Sequence, residues 1–182
     1  RWAPGARWRG RGAVDGAAGK DGAYRGGRAA GAPGGRAGLS RVEGRLPVGE
    51  LRRFAPPIPL ALDGLVSVRL DTLAWSGGKV TDAAGVLAWQ GAKVIAPRPL
   101  RLGDLKLELT PGPDGAVQGR LSDGGGPLQA KGDLHLGSDG GYRFEGRFAS
   151  RDPQQPALAE SLAALGPKSP DGGVRVSLSG RL

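Results

Sequence analysis

The chain has 182 residues, among them 35 glycines, 15 prolines, one histidine and no cysteine, and a formal charge of +9. That length holds one domain, with or without a tail, and can bury a core; the missing cysteines exclude a disulfide framework and thiolate metal sites without excluding an envelope location. The charge would ordinarily point to nucleic acid or an anionic surface, but eight cationic side chains against Asp15 and Asp21 put +6 in residues 1–38 and leave only +3 for the other 144.

Residues 1–38 contain a single aliphatic β-branched or leucine side chain, Val14, among glycine, alanine and arginine. Such a segment buries too little apolar area to offset the entropy of ordering it, so it is expected to be a disordered tail or a mis-assigned start. The RGRG of Arg9–Gly12 and RGGR of Arg25–Arg28 resemble RNA-binding Arg-Gly segments, but no sustained repeat supports a nucleic-acid partner. No run of eighteen apolar residues occurs, so any membrane anchor would lie upstream of Arg1.

From Leu39 the composition changes. Leu39–Leu46 reads as a short strand, and Pro47–Phe54 as one or two helical turns opened by proline. Pro56, Pro57 and Pro59 stop any helix, and Ile58–Leu73 continues as strand with Val66, Val68 and Leu70 on one face. Gly77 and Gly78 mark a turn before the strand Val86–Val94, and Leu100–Leu109 sets Leu105, Leu107 and Leu109 on one side. Three runs with a period of two follow, Val117–Leu121, Leu128–Leu136 and Tyr142–Phe148, separated by Asp-Gly-rich punctuation, and they predict an antiparallel meander. One convincing helix is predicted over Pro153–Leu165, with Leu158, Leu162 and Leu165 on one face, Asp152 as cap and Gly166-Pro167 as stop. Val174–Leu182 closes the chain as another alternating strand.

Glycine, a polar residue and a large apolar one recur as Gly44-Arg45-Leu46, Gly119-Arg120-Leu121, Gly132-Asp133-Leu134, Gly146-Arg147-Phe148 and Gly180-Arg181-Leu182, with the glycine on the dry face each time. Glycine inside strands marks bends and close approaches. A helix of about 13 residues spans roughly 20 Å and cannot cover seven or eight strands. The fold class is therefore mainly β: a single curved antiparallel sheet, incurved or half-barrel, with one C-terminal helix before the last strand.

Little here reads as catalysis. His135, the lone histidine, lies on the polar face of its strand, and no G-x-S-x-G motif is present. Gly16–Lys20 (GAAGK) lacks the spacing and hydroxyl of a phosphate loop. Asp123, Asp133, Asp139 and Asp152 read as turn and cap residues ahead of calcium ligands. No catalytic residue, metal ligand or cofactor is assigned. The candidate core or partner-contact aromatics are Trp75, Trp89, Tyr142, Phe144 and Phe148.

The order of these pieces resembles the periplasmic part of type II secretion system protein N. The resemblance runs over about Leu39–Leu182, and is carried by Leu121–Gly125 with Pro127-Leu128, by the strand from Gly141-Tyr142 to Asp152, by the helix end Leu162–Gly166 and by the terminal Gly180–Leu182. It implies a non-enzymatic inner-membrane protein whose largely β bulk is periplasmic, anchored by a transmembrane helix that this sequence does not contain. It further implies association with other secretion subunits, the inner-membrane platform and the secretin, in exporting folded proteins across the outer membrane. A second reading from the residues makes the incurved apolar face a trough for lipid or acyl chains. The two divide on whether lipid co-purifies with residues 39–182 or secretion subunits are captured instead.

Overall fold

The computed structural model describes residues 12–13, 23–25, 28–32, 36–51, 61–96, 99–152, 156–163, 166–169 and 172–181. Eight long strands make an antiparallel meander in which each strand pairs with the next in sequence: β4 (Arg36–Pro47), β5 (Ala61–Ser76), β6 (Lys79–Ala96), β7 (Leu100–Pro111), β8 (Val117–Asp123), β9 (Leu128–Leu136), β10 (Gly141–Ser150) and β11 (Val174–Arg181). Three short strands, β1 (Gly12–Ala13), β2 (Ala23–Arg25) and β3 (Arg28–Ala32), extend the β4 side, with β2 and β3 both paired to β4. The sheet is open: β4 and β11 lie at opposite ends of the meander and do not pair. Helix α1 (Val48–Leu51) follows β4, and α2 (Pro156–Ala163) connects β10 to β11.

The predicted order of elements holds, and the differences have physical causes. Residues expected to lack order supply β1–β3 and the start of β4, so pairing reaches back past Leu39. Backbone groups complete a ladder whatever side chains they carry. Pro47 ends β4 instead of opening the helix; residues 52–60 lie outside the described ones, as do Pro153 and Leu165 at the two ends of the predicted helix. The strand expected from Val86 begins at Lys79, directly after Gly77 and Gly78. Their φ angles of 58° and 80° give the two-residue turn whose twist matches a hairpin.

Read across the strands, the pairing lines up continuous rows on one face. One row runs Val42, Leu70, Gly85, Leu109, Gly119, Leu134, Phe144, Leu178; the next runs Gly44, Val68, Leu87, Leu107, Leu121, Gly132, Gly146, Val176. These are the apolar positions of the period-two pattern. The β5–β6 hairpin keeps them in line despite register shifts. At Gly85, φ is 141° and a Cβ would stand 2.3 Å from the Arg69 carbonyl oxygen, so the bulge there admits only glycine.

The main cluster of the core lies at one end of this face. Leu158 and Leu162 of α2 are buried in a cluster with Ala92, Leu105, Leu128, Ala130 and Val174, and Trp89, Leu100, Leu102, Leu121, Phe148 and Val176 pack around it. Ala130 is 0 % exposed and Leu158 2 %. All of these come from the β6 end, the β7 start and the matching ends of β8–β11, so α2 caps the end of the sheet where the chain crosses over.

Candidate docking face

The apolar face divides into a covered and an uncovered part. Toward α2 it is core. Away from α2, Val117 and Leu70 are buried at 2 % and 7 % exposure, whereas Leu107, Leu109, Leu134, Leu136, Tyr142 and Phe144 are half-buried and Leu178 is 46 % exposed, and among the described residues no helix or second sheet packs over these last seven. The aromatics fall along this gradient. Phe148 and Trp89 border the core cluster under α2. Phe144 stands 6.4 Å from Phe148 between ring centroids, tilted by 40°, and Tyr142 continues the line toward the uncovered end. Trp75 stands apart, on β5 opposite Ala37 and Val80 near the hairpin turn. The structure therefore brings Tyr142, Phe144 and Phe148 into one line, joins Trp89 to the covered end, and leaves Trp75 separate.

Why glycine recurs on this face is visible in what its missing side chain makes room for. A Cβ on Gly146 would meet ring atoms of Phe144 and Phe148 at 2.8 Å, one on Gly132 would meet Phe144 Cζ at 2.8 Å, and one on Gly180 would meet the Tyr142 hydroxyl oxygen at 2.8 Å. Gly132 and Gly146 are directly paired, so the Phe144 ring lies over a two-glycine floor. Trp89 does the same across the β5–β6 pair: its Nε1 donates to the Asp63 carbonyl at 3.2 Å while the indole crosses Gly64. Rings laid on strand glycines replace the packing glycine lacks. The sequence signal was present, since Gly146 lies two residues from each of two phenylalanines.

One charge intrudes on this face. Asp123 takes the place opposite Leu105, with its side chain 11 % exposed. Its carboxylate accepts from the Gly125 and Ala130 amides at 3.0 and 2.9 Å and from the Arg151 guanidinium, which also donates to the Gly126 carbonyl at 3.0 Å. Burial pushes its pKa up, but the two amides and Arg151 outweigh this and hold it below the usual aspartate value. The pair ties the end of β10 to the β8–β9 turn. The turn role expected of Asp123 matches its bond to the Gly125 amide, while nothing in the local pattern points to Arg151.

The opposite face is polar and also ordered in rows. One runs Arg45, Ser67, Ala88, Lys106, Ser122, Lys131, Arg147, Arg175, five cations without an acid; the next runs Glu43, Arg69, Val86, Glu108, Arg120, Asp133, Glu145, Ser177. Within and between these rows Lys106 reaches Glu108 at 2.7 Å, and Arg69 and Arg120 reach Glu43 and Asp133 at 3.6 and 4.0 Å. The Lys106 bond lowers the Glu108 pKa; at the sheet margins Lys93 and the Gly64 amide do the same for Asp63, and the Gly141 amide and Arg181 for Asp139. His135 lines a shallow open depression of this face with Gln118, Arg120, Asp133 and Arg143. Among the described residues no three His, Asp or Glu side chains gather as a metal site, and no helix is long and apolar enough to cross a membrane.

Among the described residues the chain is an open, glycine-floored antiparallel sheet, apolar on one face, with helix α2 packed over one end of that face. The chain belongs to the family of type II secretion system protein N, whose family model matches residues 1–177. It is thus a component of an envelope-associated protein-secretion system. The match starts at residue 1 and so takes in the Gly/Arg tract that the resemblance from Leu39 had left out. Neither the curated proteins nor the solved structures offer a match to this chain.

Proposed function

We propose that this chain is a non-enzymatic subunit that docks other components of the type II secretion system, the inner-membrane platform and the secretin among them. In this reading residues 39–182 form the docking domain, held on the periplasmic side of the inner membrane. The observation that carries it is the uncovered half of the apolar face, from Leu107 and Leu109 across Leu134 and Phe144 to the exposed Leu178. Contiguous apolar surface of this kind is an aggregation hazard unless something occupies it.

The test is affinity capture of secretion subunits by the full chain in a cell that assembles the apparatus, compared with Leu134→Asp and Leu178→Asp. Loss of capture with the fold retained supports docking; unchanged capture by both variants refutes it. The same face also suits acyl chains, and this second reading gains if native mass spectrometry of the purified chain shows bound phospholipid that Leu134→Asp displaces.

A further inference from the structure

The outer edge of β11 is finished at one end, and among the described residues no strand pairs with it at the other. At its start the Arg175 amide donates to the Pro167 carbonyl at 3.2 Å, the Ser169 amide donates to the Gly173 carbonyl at 2.7 Å, and Lys168 bridges Val174 as an antiparallel neighbour. Those bonds fix the phase of the strand. Alternate residues of an antiparallel strand send amide and carbonyl to the same side, so Ser177 and Ser179, like Arg175, direct theirs away from β10. Beyond Arg175 no described strand meets that edge.

Common protections of an edge are missing as well. Residues 176–181 contain no proline or lysine, their register with β10 runs without a shift from Gly141↔Arg181 to Phe148↔Val174, and Leu178 is exposed. The charge there is mostly of one sign. On the polar face of β10 and β11 stand Arg143, Arg147, Arg175 and Arg181 against Glu145 alone, with Asp139 holding Arg181 at 2.9 Å. This composition discriminates between occupants. A second copy paired through its own β11 about Leu178 would set Arg175 opposite Arg181 at both ends, and like charges directly opposite are unfavourable.

We infer that the β11 edge from Val176 to Arg181 accepts an extended segment of a partner protein as a further antiparallel strand, with apolar side chains in line with Leu178 and carboxylates on the arginine-rich side. Main-chain bonds to Ser177 and Ser179 supply affinity, and the alternation of apolar and acidic residues supplies selectivity. The inference rests on the docking reading above and gives it a place and a chemistry.

The experiment uses the full chain and its Ser177→Pro, Ser179→Pro double variant. Both amides point outward, so the prolines block strand addition while leaving the β10 ladder intact. A thermal melt by circular dichroism within a few degrees of the parent checks the fold. The probes are labelled synthetic peptides of equal length, one alternating valine with glutamate and one alternating valine with lysine. The acidic peptide is expected to bind at least ~10-fold more tightly than the basic one, to weaken by ~10-fold or more in the proline variant, and to lose affinity as salt rises. Equal binding of the two peptides, binding indifferent to the prolines, or a solution dimer that the prolines dissolve overturns the inference. Secretion subunits captured undiminished by the proline variant also overturn it, and leave the docking reading standing. If the parent captures no secretion subunit yet shows the peptide preference, the docking reading fails and the edge assignment survives.

Discussion

The smallest unit of this architecture is a ring resting on a glycine. Because ring atoms of Phe144 and Phe148 occupy the space where a Gly146 side chain would go, Gly146→Ala must displace one of them, and overpacking of this kind costs about 1–3 kcal/mol. In a Phe144→Ala background part of that space is vacant, so the cost of Gly146→Ala is expected to shrink by about 0.5–1.5 kcal/mol, a coupling readable from urea titrations of the four proteins in the cycle. Gly49 supplies the contrast: its Cβ would meet nothing within 4 Å, and alanine in helix α1 is expected to be neutral or to stabilise by up to ~1 kcal/mol. Asp123 makes the electrostatic case. Its pKa is depressed in the folded chain, so its contribution is present above the unfolded aspartate value, near pH ~3.9, and is lost as pH falls through the folded value. Asp123→Asn is expected to lower stability by about 1–3 kcal/mol at pH 7 by weakening charged hydrogen bonds, and the gap to the parent should close as pH drops below ~4. Denaturation between pH 7 and pH 2.5 checks it; a gap constant across that range contradicts the assignment.

At the level of elements, α2 does what a short helix on a wide sheet can do, which is to seal one end. Leu158 is 2 % exposed amid residues of β7, β9 and β11, so Leu158→Ala is expected to cost about 2–5 kcal/mol, with Leu162→Ala in the same range. Hydrogen exchange should then show amides of β9 and β11 near Ala130 and Val174 losing protection before those of the β5–β6 hairpin, from which, among the described residues, Ala92 joins that cluster and Trp89 packs against it. The alternation of Val117, Gly119 and Leu121, and of Leu128 through Leu136, was enough to read β8 and β9 with their dry faces, and Leu158 and Leu162 at i and i+4 were enough to place the helix. The long hairpin is harder to read. Register shifts at Asp63/Leu65 and Leu70/Thr72 break its alternation, so the pattern places β5 at Ile58–Leu73 where it spans Ala61–Ser76, and catches only Val86–Val94 of a β6 that spans Lys79–Ala96. Pairing of residues 23–25 and 28–32 with β4 has no aliphatic alternation to reveal it, because those strands consist of alanine, glycine, arginine and the single Tyr24. The grouping of Asp123 with Arg151 was equally silent, joining residues 28 apart through a turn whose shape no local pattern encodes.

For the molecule as a whole, the decisive fact is that the meander stops before closing. A closed barrel would hide both edges and fill its interior; this sheet keeps β11 as an edge and leaves half of one face without cover among the described residues. A net charge of +9 opposes association by repulsion, but it does not desolvate the leucines. A neutral reporter of apolar surface separates the two effects, since an anionic dye would be drawn to the cations regardless. Nile red is therefore expected to brighten severalfold on the native chain at neutral pH and to be insensitive to salt. Leu134→Asp and Leu178→Asp at the uncovered end should reduce that signal by half or more, roughly in keeping with the loss of a patch of a few hundred Å². Leu178→Asp should do so with little change in stability, because its parent side chain is already 46 % exposed. Leu158→Ala acts at the other end, where it loosens the seal, and should raise the signal instead. A native chain that leaves the dye dark would mean that the apolar rows are closed off, and the case for a surface built to receive another molecule would fall with it.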